Sequence, residues 1–241
     1  MNQMPPNRIL RRVWLAAWVI FVAVWVFPVS NRMTRVSGLV LLAVVWFGLI
    51  ALYWNRRVLR ISLLGLTVLA VGFLLLPARR LPDTAVLRSN YVAGMQRYES
   101  VPYYWGGESP KGIDCSGLIR RGLIDSLFLQ GLRALDAGLV RRAFSLWWHD
   151  TTARALGQQH GGETIHVLDT PSINTLDHTK VLAGDLAVTR DGMHIMAYTD
   201  GKVWIEADPG AGRVICVTAP SSDNIWFQFP MRIVRWRILQ P

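Results

Sequence analysis

Cys115 lies in a polar, glycine-rich setting, between Asp114 and Ser116 in the run Gly-Ile-Asp-Cys-Ser-Gly-Leu-Ile. Apolar residues follow it at four-residue spacing, which predicts a helix that begins at or near the cysteine. The amide dipoles at a helix start favour a thiolate and lower the pKa of a cysteine. Because the thiolate is the nucleophilic form, this pattern predicts Cys115 to be a nucleophile.

The bland interpretation of any lone cysteine is a small buried hydrophobe. Cys216, in the apolar run Arg-Val-Ile-Cys-Val-Thr, fits that interpretation as a strand residue. The polar neighbours of Cys115 do not fit the interpretation of a buried hydrophobe. Two cysteines cannot build a disulfide framework or a four-cysteine zinc site. We therefore expect a free thiol at Cys115, and the chemistry needs no metal or cofactor.

A nucleophilic cysteine needs a base, and His194 is the best candidate in the sequence. It opens a run that predicts a β-hairpin with its turn at Asp200-Gly201. Glu206 follows on the partner strand, where its carboxylate can contact the far ring nitrogen and orient the imidazole. The other histidines fall in polar or loop-like segments and are expected on the solvated surface; they are His149, His160, His166 and His178.

Several motifs occur together in one order along the chain. They are Pro-Tyr-Tyr-Trp-Gly-Gly at 102–107, Asp-Cys-Ser-Gly-Leu at 114–118, Gly-Asp-Leu at 184–186, and then His194. In this order the chain resembles the NlpC family of papain-like cysteine peptidases, which are mostly bacterial cell-wall endopeptidases. The resemblance covers residues 91–239.

The resemblance implies an α+β, papain-like domain in which the nucleophile helix packs on an antiparallel sheet. It also implies that Cys115 is the nucleophile and His194 the base, with Tyr103 near the oxyanion site. Asp114 and Ser116, which flank the nucleophile, are expected to help position the oxyanion or the substrate. The third polar residue in the family is usually His, Asn or Gln, whereas this chain has Glu206.

The distance along the chain from Cys115 to His194 is longer than the family leads us to expect. The extra length lies at about 131–180, where apolar residues at helical spacing predict a helical insert that ends in Trp147-Trp148. The insert can be a surface helix on the core, a lid of the cleft, or a foot resting on a bilayer. It is expected to be dispensable for folding, and 160–178 is expected to be an irregular loop.

The net charge of +10 does not indicate nucleic acid binding. Residues 1–87 hold ten of the basic residues and one acid, so they carry about +9, and the remainder of the chain is close to neutral. That excess flanks apolar runs, where positive charge sets membrane orientation. We therefore do not expect this protein to bind nucleic acid.

Apolar runs fill the first eighty residues and predict three membrane spans, at about 13–29, 36–54 and 59–77. Each run could instead be a buried core helix, and the first could be a cleaved signal peptide. Against the latter, no small-residue cleavage site follows and another span comes immediately after. We therefore expect a membrane region with a linker at 1–84 and a hydrolase domain at 85–241.

The arginines of the short loops predict the orientation of the spans. The N-terminal tail and the loop 55–60 hold six arginines, whereas the loop 30–35 holds two. Three spans then place the domain outside the cytoplasm. The sequence thus predicts a multi-pass protein of the bacterial inner membrane whose domain faces the periplasm or exterior. The expected partners are the lipid bilayer and a substrate that is peptidoglycan or another acyl or peptide compound. A lipid or acyl-ester hydrolase, an acyltransferase of the same fold and an inactive binding module remain as alternatives.

Overall fold

The computed structural model describes residues 8–78 and 83–241, so most of the linker expected at 78–84 lies outside the described residues. Three apolar helices come first: α1 (Arg8–Val26), α2 (Arg32–Leu52) and α3 (Arg57–Leu75). Each is long and apolar enough to cross a membrane, and at most 17% of the residues in any of the three apolar windows are buried within the protein. Such outward-facing apolar surface is what a bilayer would cover.

Helices α1 and α2 form an antiparallel hairpin, which we call the membrane hairpin (residues 8–52). The indole Nε1 of Trp14 donates a hydrogen bond to the Val45 carbonyl at 2.9 Å and ties the two helices together. Asn31 begins α2 with a reciprocal cap, because its side chain accepts from the Thr34 amide while the Thr34 hydroxyl bonds the Asn31 amide. The loop between the helices is therefore short and well ordered by its own hydrogen bonds.

The C-terminal domain combines helices with an antiparallel sheet. Its helices are α4 (Thr84–Gln96), α5 (Cys115–Arg133), α6 (Ala137–Trp148) and α7 (Ala153–Gly157). A two-stranded hairpin consists of β1 (Glu108–Ser109) and β2 (Gly112–Ile113). The main sheet consists of β3 (Thr164–Thr170), β4 (Leu186–Thr189), β5 (Ile195–Asp200), β6 (Val203–Asp208), β7 (Arg213–Thr218) and β8 (Met231–Trp236). Its strand order is β3-β8-β4-β5-β6-β7, and every neighbouring pair is antiparallel.

Helix α5 packs across one face of this sheet and forms the centre of the core. Leu118 and Leu123 from the helix are fully buried together with Ile195 and Ile205 from the sheet. Burying a leucine or isoleucine side chain contributes about 1.5–3 kcal/mol, so this interface fixes the helix start relative to β5 and β6. The predicted α+β class, with a nucleophile helix packed on an antiparallel sheet behind three apolar helices, is confirmed.

Two expectations about the insert are wrong. The segment 160–178 is not an irregular loop, because it contains β3, which pairs along its length with β8 as an edge strand. The helical part of the insert, 132–159, is not a dispensable surface addition either, because Leu139, Ala143, Leu146 and Leu156 are buried in the same core cluster as α5. A third correction concerns His178, which is half-buried and accepts a hydrogen bond from the Trp204 indole at 3.2 Å.

Candidate active site

Asp114 is the N-cap of α5, and Cys115 is the first residue of that helix. One carboxylate oxygen accepts hydrogen bonds from the Gly117 amide at 2.6 Å and from the Ser116 hydroxyl at 3.0 Å. The other oxygen accepts from the Gly106 amide at 2.8 Å. Asp114 therefore caps α5 and holds the preceding loop against it at the same time. Asp114 and Ser116 are thus hydrogen-bonded to each other on either side of Cys115.

Glycines let the loop 105–107 approach the helix start more closely than other residues would. A Cβ at Gly117 would overlap the Gly107 carbonyl oxygen, and a Cβ at Gly107 would overlap the Gly112 carbonyl. Gly106 also adopts a positive φ of 72°, a conformation that glycine adopts without strain. The result is a cleft of about 230 Å³ that is lined by Cys115 and by the loop.

The Cys115 thiol is only 8% exposed. Burial, followed by the charge of Asp114, raises the pKa of Cys115 to about 12, although the backbone N–H groups of Ile195, Ser116 and Cys115 itself act in the opposite direction. The expectation that the helix start lowers this pKa is therefore wrong, because desolvation outweighs the helix amides. A thiol with a pKa this high is neutral at pH 7, so a nucleophilic role for Cys115 requires a base that takes its proton.

Tyr103 lies beside the nucleophile. Its backbone amide donates to the Gly212 carbonyl at 2.7 Å, which fixes its position against the end of the main sheet. Burial raises the pKa of Tyr103, and the next largest cause is the nearby Cys115. The phenol is thus neutral and keeps its O–H as a donor.

His194 is 1% exposed and lies immediately before β5. Its Nε2 hydrogen-bonds to a carboxylate oxygen of Glu206, which leaves Nδ1 as the ring nitrogen able to exchange a proton with a nucleophile. The backbone is held from both sides, because the His194 amide donates to the Thr189 hydroxyl at 3.0 Å and the Thr189 amide donates to the His194 carbonyl at 3.1 Å. One ring face stacks on Trp226 at 4.2 Å between centroids.

Glu206 is fully buried and is held in turn by Asn224, whose side-chain amide donates to the second carboxylate oxygen. His194, Glu206 and Asn224 thus form a hydrogen-bonded chain. A buried carboxylate that is paired at both oxygens fixes the tautomer and orientation of the imidazole.

Asn224 and Trp226 are site residues that the sequence did not reveal. The only signal in the sequence is an asparagine ahead of an apolar turn, which predicts a cap. The Asn224 oxygen does accept from the Trp226 amide at 2.9 Å. Nothing in that pattern indicates that the other end of the same amide reaches Glu206.

A buried ionic cluster beside the cleft was also missed. Glu108 lies between Arg35 of α2 and Arg120 of α5, at 3.0 Å from each guanidinium. All three residues are at most 5% exposed. Arg35 was interpreted from the sequence only as one of two loop charges, because its partner Glu108 is more than seventy residues away along the chain.

The comparisons with known proteins agree with the motifs. The description of the matching family model is NlpC/P60 family, and it covers residues 100–130. No curated protein matches the chain at a significant level.

Three solved structures that are similar to this chain are compared with it by identity, coverage and TM-score. The NlpC/p60 domain of the peptidoglycan hydrolase SagA is 25% identical, with 61% of this chain and 97% of that chain covered and a TM-score of 0.36. The P60 domain of an antigen from M. avium subspecies paratuberculosis is 20% identical, with coverages of 66% and 100% and a TM-score of 0.40. The peptidoglycan hydrolase RipB from Mycobacterium tuberculosis is 20% identical, with coverages of 67% and 70% and a TM-score of 0.41. In the segment 100–130, which carries the nucleophile motif, the chain thus matches the NlpC/P60 family, and the resemblance seen in its motifs is confirmed.

Proposed function

We propose that this protein is a membrane-anchored cysteine hydrolase that cleaves amide bonds in the stem peptides of peptidoglycan. Two observations carry the proposal: the cleft-lining Cys115 at a helix start interacts with the Ile195 backbone, and the adjacent His194 belongs to a buried chain with Glu206 and Asn224. The cell-wall substrate is supported by the family match over 100–130.

In the proposed reaction, Nδ1 of His194 takes the thiol proton as the Cys115 sulfur attacks the amide carbonyl carbon. The negative charge then develops on the carbonyl oxygen, where the Tyr103 hydroxyl and the Cys115 backbone amide can donate hydrogen bonds. The imidazolium returns its proton to the leaving amine. Water, deprotonated by His194, then attacks the thioester and releases the carboxylic acid and the free thiol. Glu206 stabilises the imidazolium throughout.

We also propose that the domain lies on the outer face of a bacterial inner membrane. The loop of the membrane hairpin supports this, because the Ser30 amide donates to the Gly106 carbonyl at 2.9 Å. A hairpin loop that contacts the cleft must lie on the same side of the membrane as the domain. This loop is the arginine-poorer one, which favours the outer side.

The test uses the full chain in detergent with purified peptidoglycan fragments, and mass spectrometry of the products. The wild type is expected to release peptides with new amino and carboxyl termini, and Cys115→Ala is expected to release none. Cys216→Ala is the matched control, because that thiol lies on β7 away from the cleft lining, and it should retain turnover. Equal product from wild type and Cys115→Ala would contradict the proposal.

A further inference from the structure

The loop of the membrane hairpin forms one wall of the catalytic cleft. In addition to the bond between Ser30 and Gly106, the Glu108 amide donates to the Pro28 carbonyl at 3.4 Å, and Val29 pairs with Gly107 as an isolated antiparallel bridge. Ser30 therefore lines the same cleft as Cys115. A substrate that enters this cleft contacts the end of the membrane hairpin.

The buried ionic cluster fastens this wall. Glu108 pairs with Arg35 from the membrane hairpin and with Arg120 from α5, and Arg120 also pairs with Asp150 at 2.7 Å. Removing one partner of a buried pair leaves an uncompensated charge, which is strongly unfavourable. The hairpin and the nucleophile helix are therefore held in one fixed arrangement.

A second concavity, the hairpin groove, continues from the cleft between α1 and α2. It has a volume of about 280 Å³, and its lining includes Phe21, Trp25, Gly38 and Leu42. The cleft and the hairpin groove share Ser30 and Glu108 as lining residues. A molecule with one end in the groove can therefore have its other end in the cleft.

The lining of the hairpin groove fits a lipid with an anionic head. A Cβ added at Gly38 would meet no atom of the described residues 8–78 and 83–241 within 4 Å, so among these residues there is space beside the apolar helices. Lys111 and Arg121 from the domain lie at the polar end. Arg121 is also paired with Asp125 at 2.8 Å. Glu108 in the lining is neutralised by two arginines and Arg121 by Asp125, so Lys111 carries the uncompensated positive charge at this end, which suits a phosphate.

We propose that the hairpin groove binds the hydrocarbon chain of a lipid-linked stem peptide, with its phosphate groups near Lys111 and Arg121 and its peptide in the cleft at Cys115. This inference rests on the proposed function, because it names the form of the substrate. A lipid-linked peptide is favoured over an ordinary phospholipid because the groove borders the cleft, with Ser30 and Glu108 lining both.

The experiment compares two substrates with the same stem peptide, for the full chain in lipid bilayer discs. In one, the disaccharide-peptide is joined through a diphosphate to a polyisoprenol in the bilayer; in the other, it is free in solution. Gly38→Leu fills the hairpin groove, and Gly65→Leu is the matched control, because Gly65 in α3 also faces open space but does not line the groove. The ratio of kcat/KM for the linked over the free substrate should fall about tenfold in Gly38→Leu, because a few methylene contacts are lost, and should not change in Gly65→Leu.

An unchanged ratio in Gly38→Leu, or a wild type that cleaves both substrates equally well, would overturn the inference. If the wild type cleaves neither substrate, the proposed function fails and a separate measurement decides the groove. A polyisoprenyl phosphate carrying a photoreactive diazirine should label the peptide 21–42 in the wild type and in Gly65→Leu, but not in Gly38→Leu. Equal labelling of Gly38→Leu, or equal labelling of the wild type by a diazirine phosphatidylglycerol, would overturn the lipid-linked assignment.

Discussion

The two sides of the candidate active site are built in different ways. The nucleophile side is local, because Asp114 caps its own helix and holds a loop only eight residues away. The base side is assembled from distant segments, since Glu206 lies on the strand after His194, and Asn224 follows a further eighteen residues on. A site built from neighbouring residues can be recognised in the sequence as a motif. A site built from distant segments cannot, because each of its residues occurs alone in the sequence.

The nucleophile side should be the more sensitive to small backbone changes. In Gly117→Ala the new methyl group overlaps the Gly107 carbonyl, a backbone atom that cannot move without shifting the cleft loop. We expect peptide turnover to fall at least about a hundredfold and unfolding to become about 1–3 kcal/mol easier, as for an overpacked site. Turnover and Tm of the full chain in detergent measure both.

Gly122→Ala on the same helix is the control for that change. There the added Cβ meets the buried side chains of Met95 and Tyr91 and not the cleft loop. Stability should fall as in Gly117→Ala, whereas turnover of the folded protein should stay within about twofold of the wild type. If the two alanine variants lose turnover alike, the close approach of the loop is not what positions Cys115.

The nucleophile helix also depends on the insert. Leu146 of α6 is 6% exposed within the core cluster, and its carbonyl accepts from Arg120 at 2.6 Å. Leu146→Ala should lower the free energy of unfolding by about 2–5 kcal/mol, as for other leucines truncated in a core. Denaturant titration in detergent measures it. Leu135→Ala, at an exposed position before α6, is the control and should change stability little.

The features that could be predicted from the sequence are the local ones, and the features that were missed depend on distant segments. The motif around Cys115 predicted a helix start, a free thiol and the family resemblance, because capping and glycine contacts act over a few residues. The length of the uncharged apolar runs also predicted the three apolar helices. The edge strand β3 was missed because its residues alternate poorly in burial, and its partner β8 is about seventy residues away. The pKa of Cys115 was misjudged because a sequence shows the helix start but not the burial around the sulfur.

The base side should respond in graded steps along its hydrogen-bonded chain. Glu206→Gln keeps a hydrogen bond but removes the charge that stabilises the imidazolium. The value of kcat/KM should therefore fall about tenfold to a thousandfold, less than the upper limit of about 10⁴ for loss of general base catalysis. Asn224→Ala acts one residue further away and should cost about tenfold or less, about one hydrogen bond to a charged group. Steady-state kinetics of the full chain measure both variants.

Asn174→Ala is the matched control for Asn224, because its side-chain amide also bonds across the fold, to the Ser221 backbone, but does not reach Glu206. It should keep wild-type kcat/KM. The graded order would be contradicted if Asn224→Ala lost more activity than Glu206→Gln. In that case Asn224 would act on the substrate and not through the carboxylate.

The smallest expected effect is the pH dependence of cysteine alkylation. It tests whether burial or His194 sets the charge of the Cys115 thiol. Burial raises the pKa of Cys115 to about 12, so almost all of the resting enzyme carries a neutral thiol at pH 7. Because the thiolate is the reactive form, the rate of alkylation by iodoacetamide should rise about tenfold per pH unit between pH 7 and pH 10 without reaching a plateau. The full chain with Cys216→Ala gives the rate for Cys115 alone, since these are the two cysteines of the chain.

The reciprocal variant Cys115→Ala reports Cys216, whose pKa burial raises to about 11. Its alkylation should show the same upward slope, and His194→Ala should not alter it, because burial and the charge of Glu99 raise the pKa of that thiol. For Cys115 the competing outcome is a rate that is already high and constant by pH 7 and that drops in His194→Ala. That result would mean that an ion pair with His194 outweighs desolvation, so that the base side sets the charge of the nucleophile before the substrate arrives. A slope that continues to rise would instead place the proton transfer within the reaction itself, where His194 removes the proton as the sulfur attacks.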